Sequence, residues 1–406
     1  MRVLHINNYD KKGGAERVFD ISRKNNYTIN YCGYVKISDT TEFPDISFTS
    51  WEKNNIFFGI INYIFSFRNY KLLLNYLSDN KVDIIHIHGF FSSLSPSILL
   101  AIKKTKFSKK IKIIQTLHDF HLICPNSSLY NFIKDEICER CINKNIKINI
   151  FTVNCDRRGF GFSVIKGIRS ILSNNILKHR NIIDKFICPS EFMKRKLIVD
   201  GIEEQKISVI RNSVNIYNKE LPTKKNIICY FGRFSKEKNL EFLIEVFSYW
   251  KNKTPNDFSL LLIGEGEEEV KLRKVANESA YSSSIVFKSF LPFAQLIKII
   301  GEAKYSSMSS KCYENSPMLV IESISLNIIP IVPQLGGMQE SVEVLTKIGK
   351  TYKFNDKDSW IDALTSLENN YDKIIQNINL TKNQLLNELS VYRYYYSMYN
   401  EYQSIQ

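Results

Sequence analysis

No apolar run in this 406-residue chain approaches the roughly 20 residues of a membrane-spanning helix. The most apolar stretch, Ile56 to Phe67, covers about 12 residues and is interrupted by Gly59 and Asn62. Glycine and proline are sparse, at 16 and 10, and no G-X-Y period or low-complexity tract occurs, which excludes a collagen-like chain. With 44% apolar residues the chain can fill full-sized cores, so disorder is excluded as well. The opening Met1-Arg-Val-Leu-His-Ile6 lacks the basic and apolar regions of a signal peptide and reads as a first strand. A cytoplasmic protein is expected. Eight cysteines in such a chain argue for reduced thiols or metal ligation rather than a disulfide framework.

What the chain does have is positive charge, unevenly placed. Residues 1–215 hold 33 Lys and Arg against 19 Asp and Glu, whereas 216–406 hold 22 of each. The excess belongs to the first half and points to an acidic partner there: nucleic acid, an anionic membrane surface or a phosphorylated substrate. No zinc-finger, homeodomain or RNP-like aromatic motif accompanies the charge, so nucleic acid is set aside. From Phe160 to Arg180, Ile165, Ile168, Ile171, Leu172 and Ile176 recur at helical spacing, with Lys166, Arg169, Lys178 and Arg180 between them. Two readings fit: a basic amphipathic helix lying on a bilayer, or a core-facing helix with a solvated basic face.

Short apolar runs alternate with helical stretches throughout. Arg2–Ile6, Asp83–Ile87, Lys112–Thr116, Lys185–Cys188 and Ser208–Ile210 form one series, and Asn226–Phe231, Ser259–Ile263, Ser284–Phe287, Ala303–Met308 and Ile328–Val332 a second. Continuous apolar strands separated by helices predict parallel sheets covered on both faces. The expected fold is therefore α/β, two doubly wound Rossmann-like domains facing each other across a cleft, split near Asn218–Lys225. The domains read as residues 1–217 and 218–385. Residues 386–406, with the tyrosine-rich Val391 to Tyr402, read as a helix packing back on the first domain.

After the strand ending at Phe231 comes Gly232-Arg233-Phe-Ser-Lys236-Glu-Lys238-Asn239, then the helical Leu240 to Trp250. A glycine turn and cations at the mouth of a helix suit a phosphate, since backbone N–H groups, the helix dipole and point charges all favour an anion. Cys312-Tyr313-Glu314-Asn315-Ser316-Pro317-Met318-Leu319-Val320-Ile321-Glu322 sets two carboxylates eight positions apart, with Ser316 as the expected N-cap and Pro317 at the first helical position. Carboxylates at two heights on one rim can grip hydroxyls of two different rings.

Other features have plainer readings. Gly264-Glu265-Gly266 lacks the third glycine of a dinucleotide fingerprint, and the glutamates that follow would repel pyrophosphate. Asp356-Lys357-Asp358 imitates a metal-binding D-x-D but precedes a helical run that it would cap. His86 and His88 close a buried strand and read as structural. Cys124, Cys138, Cys141 and Cys155 make C-x13-C-x2-C-x13-C, which leaves open either a structural tetrahedral zinc or four reduced packing thiols.

Taken in order, these motifs resemble the retaining glycosyltransferases of the GT-B fold, family 4, also called glycosyl transferases group 1. Glu314 and Glu322 meet that family's E-x7-E pattern. Leu326-Asn327-Ile-Ile-Pro330-Ile-Val332 and Gly336-Gly337-Met338-Gln339-Glu340 are similar to its "G-x-P-V-V" strand and "G-G-x-x-E" turn. Asn8 to Arg17, with Gly13 and Gly14, resembles its "GGAE" loop. Thr116-Leu117-His118-Asp119-Phe120 with Ile123-Cys124-Pro125-Asn126, and Cys188-Pro-Ser190 to Leu197, resemble two further segments. Ser289, Asn327 and Gln339 depart from the usual residues.

The resemblance implies a hexosyl-type transfer, with retention, from a nucleoside-diphosphate sugar to an anionic lipid-linked or saccharide acceptor of surface polysaccharide assembly. Arg233 and Lys238 would bind the diphosphate, with Gly13, Gly14, Gly232 and the turn Asn315, Ser316, Pro317, Met318, Leu319 and Val320 around the donor. Glu314 would hold a sugar hydroxyl, Glu322 the ribose and His118 the sugar ring or its 6-position. No cofactor or divalent metal is then expected for the chemistry, and the basic half suits a peripheral place on the inner membrane face. The alternative is a nucleotide-sugar-binding protein without transferase activity, suggested by Ser289 and Gln339.

Overall fold

In the computed structural model the chain forms two compact units, Met1–Ser213 together with Val391–Gln406, and Val214–Ser390. The structure describes all residues except Lys12, Thr40, Asn54 and 215–220, and only the backbone of Lys53, Phe293 and Thr381. The expected boundary at 217/218 and part of the split near Asn218–Lys225 lie outside the described residues.

The first unit holds strands β1 (Arg2–Tyr9), β2 (Ile29–Val35), β3 (Ile46–Ser47), β4 (Ile84–Ile87) and β5 (Lys112–Thr116), a small antiparallel hairpin β6 (Tyr130–Asn131) and β7 (Glu136–Ile137), then β8 (Lys185–Cys188) and β9 (Ile207–Val209). Seven of them form one parallel sheet in the order β3-β2-β1-β4-β5-β8-β9. The apolar residues of β4, β5 and β8 are buried because helices cover both faces. Chain order reverses direction between β1 and β4, so the loops leaving their C-terminal ends diverge and open a crevice there.

On the N-terminal part of that sheet packs the last helix, Val391–Ser404. Its Tyr394, Tyr395, Met398 and Tyr402 are buried against Val3, Val18, Ile84, Ile114 and Ile187. Buried phenols need partners, and they have them: Tyr394 Oη lies 2.6 Å from Ser22 Oγ, and Tyr402 Oη 2.7 Å from His86 Nδ1. The preceding helix, Tyr371–Glu388, belongs to the second unit, where Val214 N–H donates to the Leu389 carbonyl.

The second unit holds β10 (Lys225–Phe231), β11 (Ser259–Ile263), β12 (Ile285–Lys288), β13 (Ala303–Ser307), β14 (Ile329–Pro333) and β15 (Lys350–Tyr352), all parallel, in the order β12-β11-β10-β13-β14-β15. Here the reversal falls between β10 and β13. The helix Leu240–Lys253 buries Leu243, Val246, Phe247 and Trp250, spaced three and four apart, and its first turn follows the β10 loop. Asp356 caps the helix Lys357–Glu368 by accepting from Ser359 N–H, so the D-x-D is a cap.

The Phe160–Arg180 segment differs from a core-facing helix with a solvated basic face. A helix covers Phe160–Ile171, a π-helical turn Leu172–Ile176 widens it, and a left-handed Lys178 ends it. Its small residues Ser163, Gly167 and Ser170 face inward, and Arg169 goes in with them. The Arg169 guanidinium is 1% exposed, stacked 4.0 Å over the Tyr63 ring and hydrogen-bonded to the Phe91 carbonyl. Lys166 pairs with Asp156 at 2.6 Å, while Ile168 and Ile176 are exposed. Small residues let the backbone approach the turn Ile148–Phe151, where a Cβ on Gly167 would lie 2.6 Å from Ile150; packing by shape outweighs the apolar stripe.

Candidate active site

In the second unit the site grows from the end of β10. Gly232 follows Phe231 at φ 155°, a region that favours glycine. The chain then makes a short turn, Lys236–Lys238, and enters the helix at Asn239, itself left-handed. This geometry turns Arg233 outward, 63% exposed, with Nη2 3.0 Å from Glu237 Oε1. Ser235 Oγ donates to the same oxygen at 2.8 Å. Lys238 points toward the loop after β13 and ion-pairs with Glu314, which also accepts from Ser310 Oγ at 2.9 Å.

Backbone contacts hold the two loops together. Lys311 N–H donates to the Glu237 carbonyl at 2.8 Å, and Ser309 Oγ to the Lys238 carbonyl at 2.9 Å. From the far side Gly337 N–H donates to the Glu314 carbonyl at 2.8 Å, and a Cβ on Gly337 would lie 2.0 Å from the Asn315 carbonyl oxygen. Only glycine permits that approach. Burial opposes charge on Lys238, yet Glu314 holds its ammonium well above the ordinary lysine value. Burial likewise pushes the Glu314 carboxyl up, but Lys238 and Ser310 bring it below the usual range, so both partners are ionised at neutral pH.

Arg233, Lys238 and Glu314 thus come together where the strand order reverses. Glu322 is buried on the helix Met318–Ser325 that follows the Glu314 loop. The cap of that helix is displaced by one position from expectation: Pro317 occupies it with extended backbone (ψ 114°), and Ser316 precedes it. A helix's first N–H groups have no intrahelical acceptor; Val320 N–H reaches back to the Pro317 carbonyl at 3.2 Å, and Met318 and Leu319 complete the turn. Sequence reasoning missed Glu237, which sits between two lysines and reads locally as part of a basic run. It also missed Ser309 and Ser310, whose roles depend on a loop arriving from another strand.

In the first unit, Gly13 caps the helix Gly14–Ser22, and neither Gly13 nor Gly14 is required by the packing, since a Cβ at Gly14 would meet nothing within 4 Å. His118 follows β5 beside a pocket of about 30 Å³ shared with Asn8, His88, Asp119 and His121. Burial lowers the His118 imidazole to about 4, against the opposing pull of Asp119, so it is neutral at pH 7. Asp119 turns away and accepts from His121 N–H at 2.9 Å and Nδ1 at 2.6 Å, which makes it the residue that orients the turn. His121 stacks on Phe91 with ring centres 4.8 Å apart.

Cys124, Cys138, Cys141 and Cys155 surround one cavity of about 10 Å³, all unbridged. The structural-zinc reading is not supported by their placement. Among the described residues, the one group of three or more His, Cys, Asp or Glu whose ligand atoms lie within 4.8 Å of one another is His5, His86 and His88. The loop is pinned by hydrogen bonds instead. The Asn126 amide donates to the Tyr130 and Cys155 carbonyls at 3.3 and 2.9 Å, Phe132 N–H to the Cys155 carbonyl at 3.1 Å, and Cys138 N–H to the Leu129 carbonyl at 2.9 Å. Burial raises the Cys141 and Cys155 thiols to about 12 and 11.

Comparison with known proteins gives a consistent picture. The family model Glycosyl transferases group 1 matches residues 214–383, and Glycosyltransferase Family 4 matches residues 52–217. The uncharacterized glycosyltransferase YqgM of Bacillus subtilis is 29% identical over 158 residues, 38% of this chain and 43% of YqgM, so the match spans less than half of that relative's length. The capsular polysaccharide biosynthesis glycosyltransferase CapH of Staphylococcus aureus is 24% identical over 74% of this chain and 70% of CapH. Among solved structures, Anabaena Alr3699/HepE in complex with UDP is similar with a TM-score of 0.68 at 13% identity, and the lipopolysaccharide outer core galactosyltransferase WaaB with 0.63 at 15%; each match covers 100% of both chains. At such identities the likeness establishes the fold, two parallel-sheet Rossmann-like domains of GT-B type.

Proposed function

The chain belongs to the group 1 glycosyltransferases, and from that premise we propose that it moves a hexosyl-type sugar, with retention, from a nucleoside-diphosphate sugar to a lipid-linked or polysaccharide acceptor in cell-surface polysaccharide assembly. The observation that carries this reading is the gathering of Arg233, Lys238 and Glu314 at the reversal of strand order, beside a helix N-terminus. Breaking the anomeric C–O bond places negative charge on the departing diphosphate. Arg233, Lys238 and the first turn at Met318 stabilise that charge with fixed positive groups, the work a divalent cation would otherwise do. Glu314 holds a sugar hydroxyl and tethers Lys238; Glu322 takes the ribose; His118 is assigned to the sugar. HepE, which shares the fold, was crystallised with UDP-glucose, and CapH acts in capsule synthesis, which supports the donor class and the pathway.

For the acceptor the reading is an anionic lipid-linked saccharide at a membrane surface. Among the described residues no helix is long and apolar enough to cross a membrane. The helix Ile56–Ile64, however, exposes Ile56, Phe57, Phe58 and Ile61, within the half that carries the positive excess. An exposed apolar helix face in the net-positive half of the chain suits interfacial docking. Incubation with a panel of nucleotide sugars, with and without lipid extract, is expected to release nucleoside diphosphate for one of them and more with lipid. Failure of every nucleotide sugar to be turned over with any lipid or saccharide acceptor would overturn the transferase reading.

A further inference from the structure

Just past the end of β13 two consecutive serines, Ser309 and Ser310, are buried and turn to different partners. Ser309 Oγ donates to the Lys238 carbonyl at 2.9 Å, which fixes the backbone of that lysine. Ser310 Oγ donates to Glu314 Oε1, also at 2.9 Å. The Lys238 ammonium bonds the same oxygen, Oε1. Two donors from two loops therefore converge on one carboxylate oxygen and none on the other. Among the described residues Oε2 accepts from no group, yet it is not sealed from solvent, and the Glu314 side chain is 19% exposed.

The asymmetry needs a cause, because the ion pair does not supply one. A lysine ammonium is a compact charge with no preference for one carboxylate oxygen, so the pair alone would let the carboxylate turn and bring both oxygens to bear on it. Ser310 removes that freedom. Its hydroxyl, 0% exposed and held between Ser309 and Lys311, which are themselves bonded to the Lys238 and Glu237 carbonyls, fixes the carboxylate plane with Oε1 inward and Oε2 outward. Glu314 is ionised at neutral pH, and an ionised carboxylate oxygen only accepts, so Oε2 calls for a donor. Beside it the Lys238 ammonium has given one of its three N–H groups to Oε1 and keeps two for an anion.

We propose that Ser310 is a positioning residue that reserves Glu314 Oε2 for one hydroxyl of the transferred sugar, while Oε1 holds Lys238 for the phosphate. This rests on the transferase reading given above and deepens it. The donor must present a free hydroxyl to Oε2. The product nucleoside diphosphate has no sugar, makes no bond to Oε2, and is held less tightly than the donor. Ser310 thus acts on the difference between substrate and product, and leaves the phosphate contacts as they are.

The test pairs ligand-free crystal structures with calorimetric titration of the full chain. In wild type one Glu314 oxygen is expected to be shared by Lys238 and Ser310; in Ser310→Ala the carboxylate should turn so that both oxygens face Lys238. The titrants are the nucleotide hexose turned over in the panel above, its monodeoxy analogues and the bare nucleoside diphosphate. Wild type should bind one monodeoxy analogue roughly tenfold more weakly than the parent, the size of one hydrogen bond to a charged acceptor. Ser310→Ala should bind the parent roughly tenfold more weakly than wild type does, and that analogue and the diphosphate within about twofold of wild type. Ser309→Ala, which loosens the same loop at Lys238, should weaken all three ligands by a common factor. A common factor for Ser310→Ala as well would reduce Ser310 to a structural residue and overturn the proposal, and so would an unmoved carboxylate in that variant. Should Ser310→Ala not fold, Ser310→Cys keeps the volume with a weaker donor and is read in the same way. Equal binding of every monodeoxy analogue by wild type would remove the sugar hydroxyl from Oε2. A protein that binds no nucleotide sugar would sink the transferase reading, and the carboxylate's orientation would still stand or fall on the two crystal structures.

Discussion

The two units share a strand order and a crevice position but fill that position with opposite chemistry. In the second unit, which has no net charge by composition, the strand-end loops carry ionised pairs, Arg233 with Glu237 and Lys238 with Glu314. In the first unit, which holds the whole positive excess, the corresponding loops present neutral imidazoles, and nearby Lys166 and Arg169 are buried against Asp156 and aromatic rings. Net charge over a stretch of chain therefore does not locate its chemistry. On the proposed function, the second crevice would meet charge that develops on a ligand, and the first an uncharged group.

The largest way to break the comparison is to unplug the first unit alone. Tyr402→Ala deletes a fully buried ring and leaves His86 Nδ1 without its phenol, an expected loss of about 3–5 kcal/mol, whereas Tyr402→Phe should cost about 1 kcal/mol. Hydrogen exchange resolved by peptide would show the loss in residues 1–213 and not in 214–390.

Next is Lys238→Ala, which removes a cation and leaves Glu314 buried and unpaired. A drop in kcat of about 10²–10³ is expected, by analogy with loss of one oxyanion donor, read as nucleoside diphosphate released per enzyme. Arg233→Ala should do less, because Arg233 is mostly solvated and its pair with Glu237 is worth at most about 1 kcal/mol.

Acid separates the units by a comparable amount. His5 is held near 4 against 6.5 unfolded, so between those values the unfolded chain binds the extra proton and stability falls as pH drops below about 6.5. His5 alone accounts for on the order of 3 kcal/mol lost by pH 4. Glu314 is held below its ordinary 4.5, so its contribution is complete above 4.5 and lost only as pH falls further. The first unit should therefore open first in a pH-resolved exchange experiment. Simultaneous opening, or the reverse order, would break the contrast. The smallest effect belongs to the surface: Phe57→Asp should weaken co-flotation with anionic liposomes severalfold while leaving transfer to a soluble acceptor unchanged.

Much of the fold was legible because buried parallel strands announce themselves as continuous apolar runs, as at Ile84–Ile87 and Ser259–Ile263. β2 escaped notice because INYCGYV mixes Asn and Gly with a half-exposed first half, and β15 because it has three residues. The left-handed Asn327 shows why a departure from glycine is tolerated there: asparagine accepts φ 54°, and its side chain bonds Asn379 and Lys382. Arg233, Lys238 and Glu314 were legible as residues, but their pairing was not, since it depends on which strand lies beside β10. The row of contacts from Asn30 through His5 and His88 to His118 was illegible for the same reason. His5, Asn30, His88 and His118 come from four strands or their ends, and no local pattern links them.

The central claim is that the loops after β10 and β13 form the diphosphate site. Calorimetric titration of UDP and GDP into wild-type protein and Lys238→Ala tests it directly. One nucleotide is expected to bind the wild type and to bind Lys238→Ala at least about tenfold more weakly. Equal affinity of both proteins for that nucleotide would contradict the account.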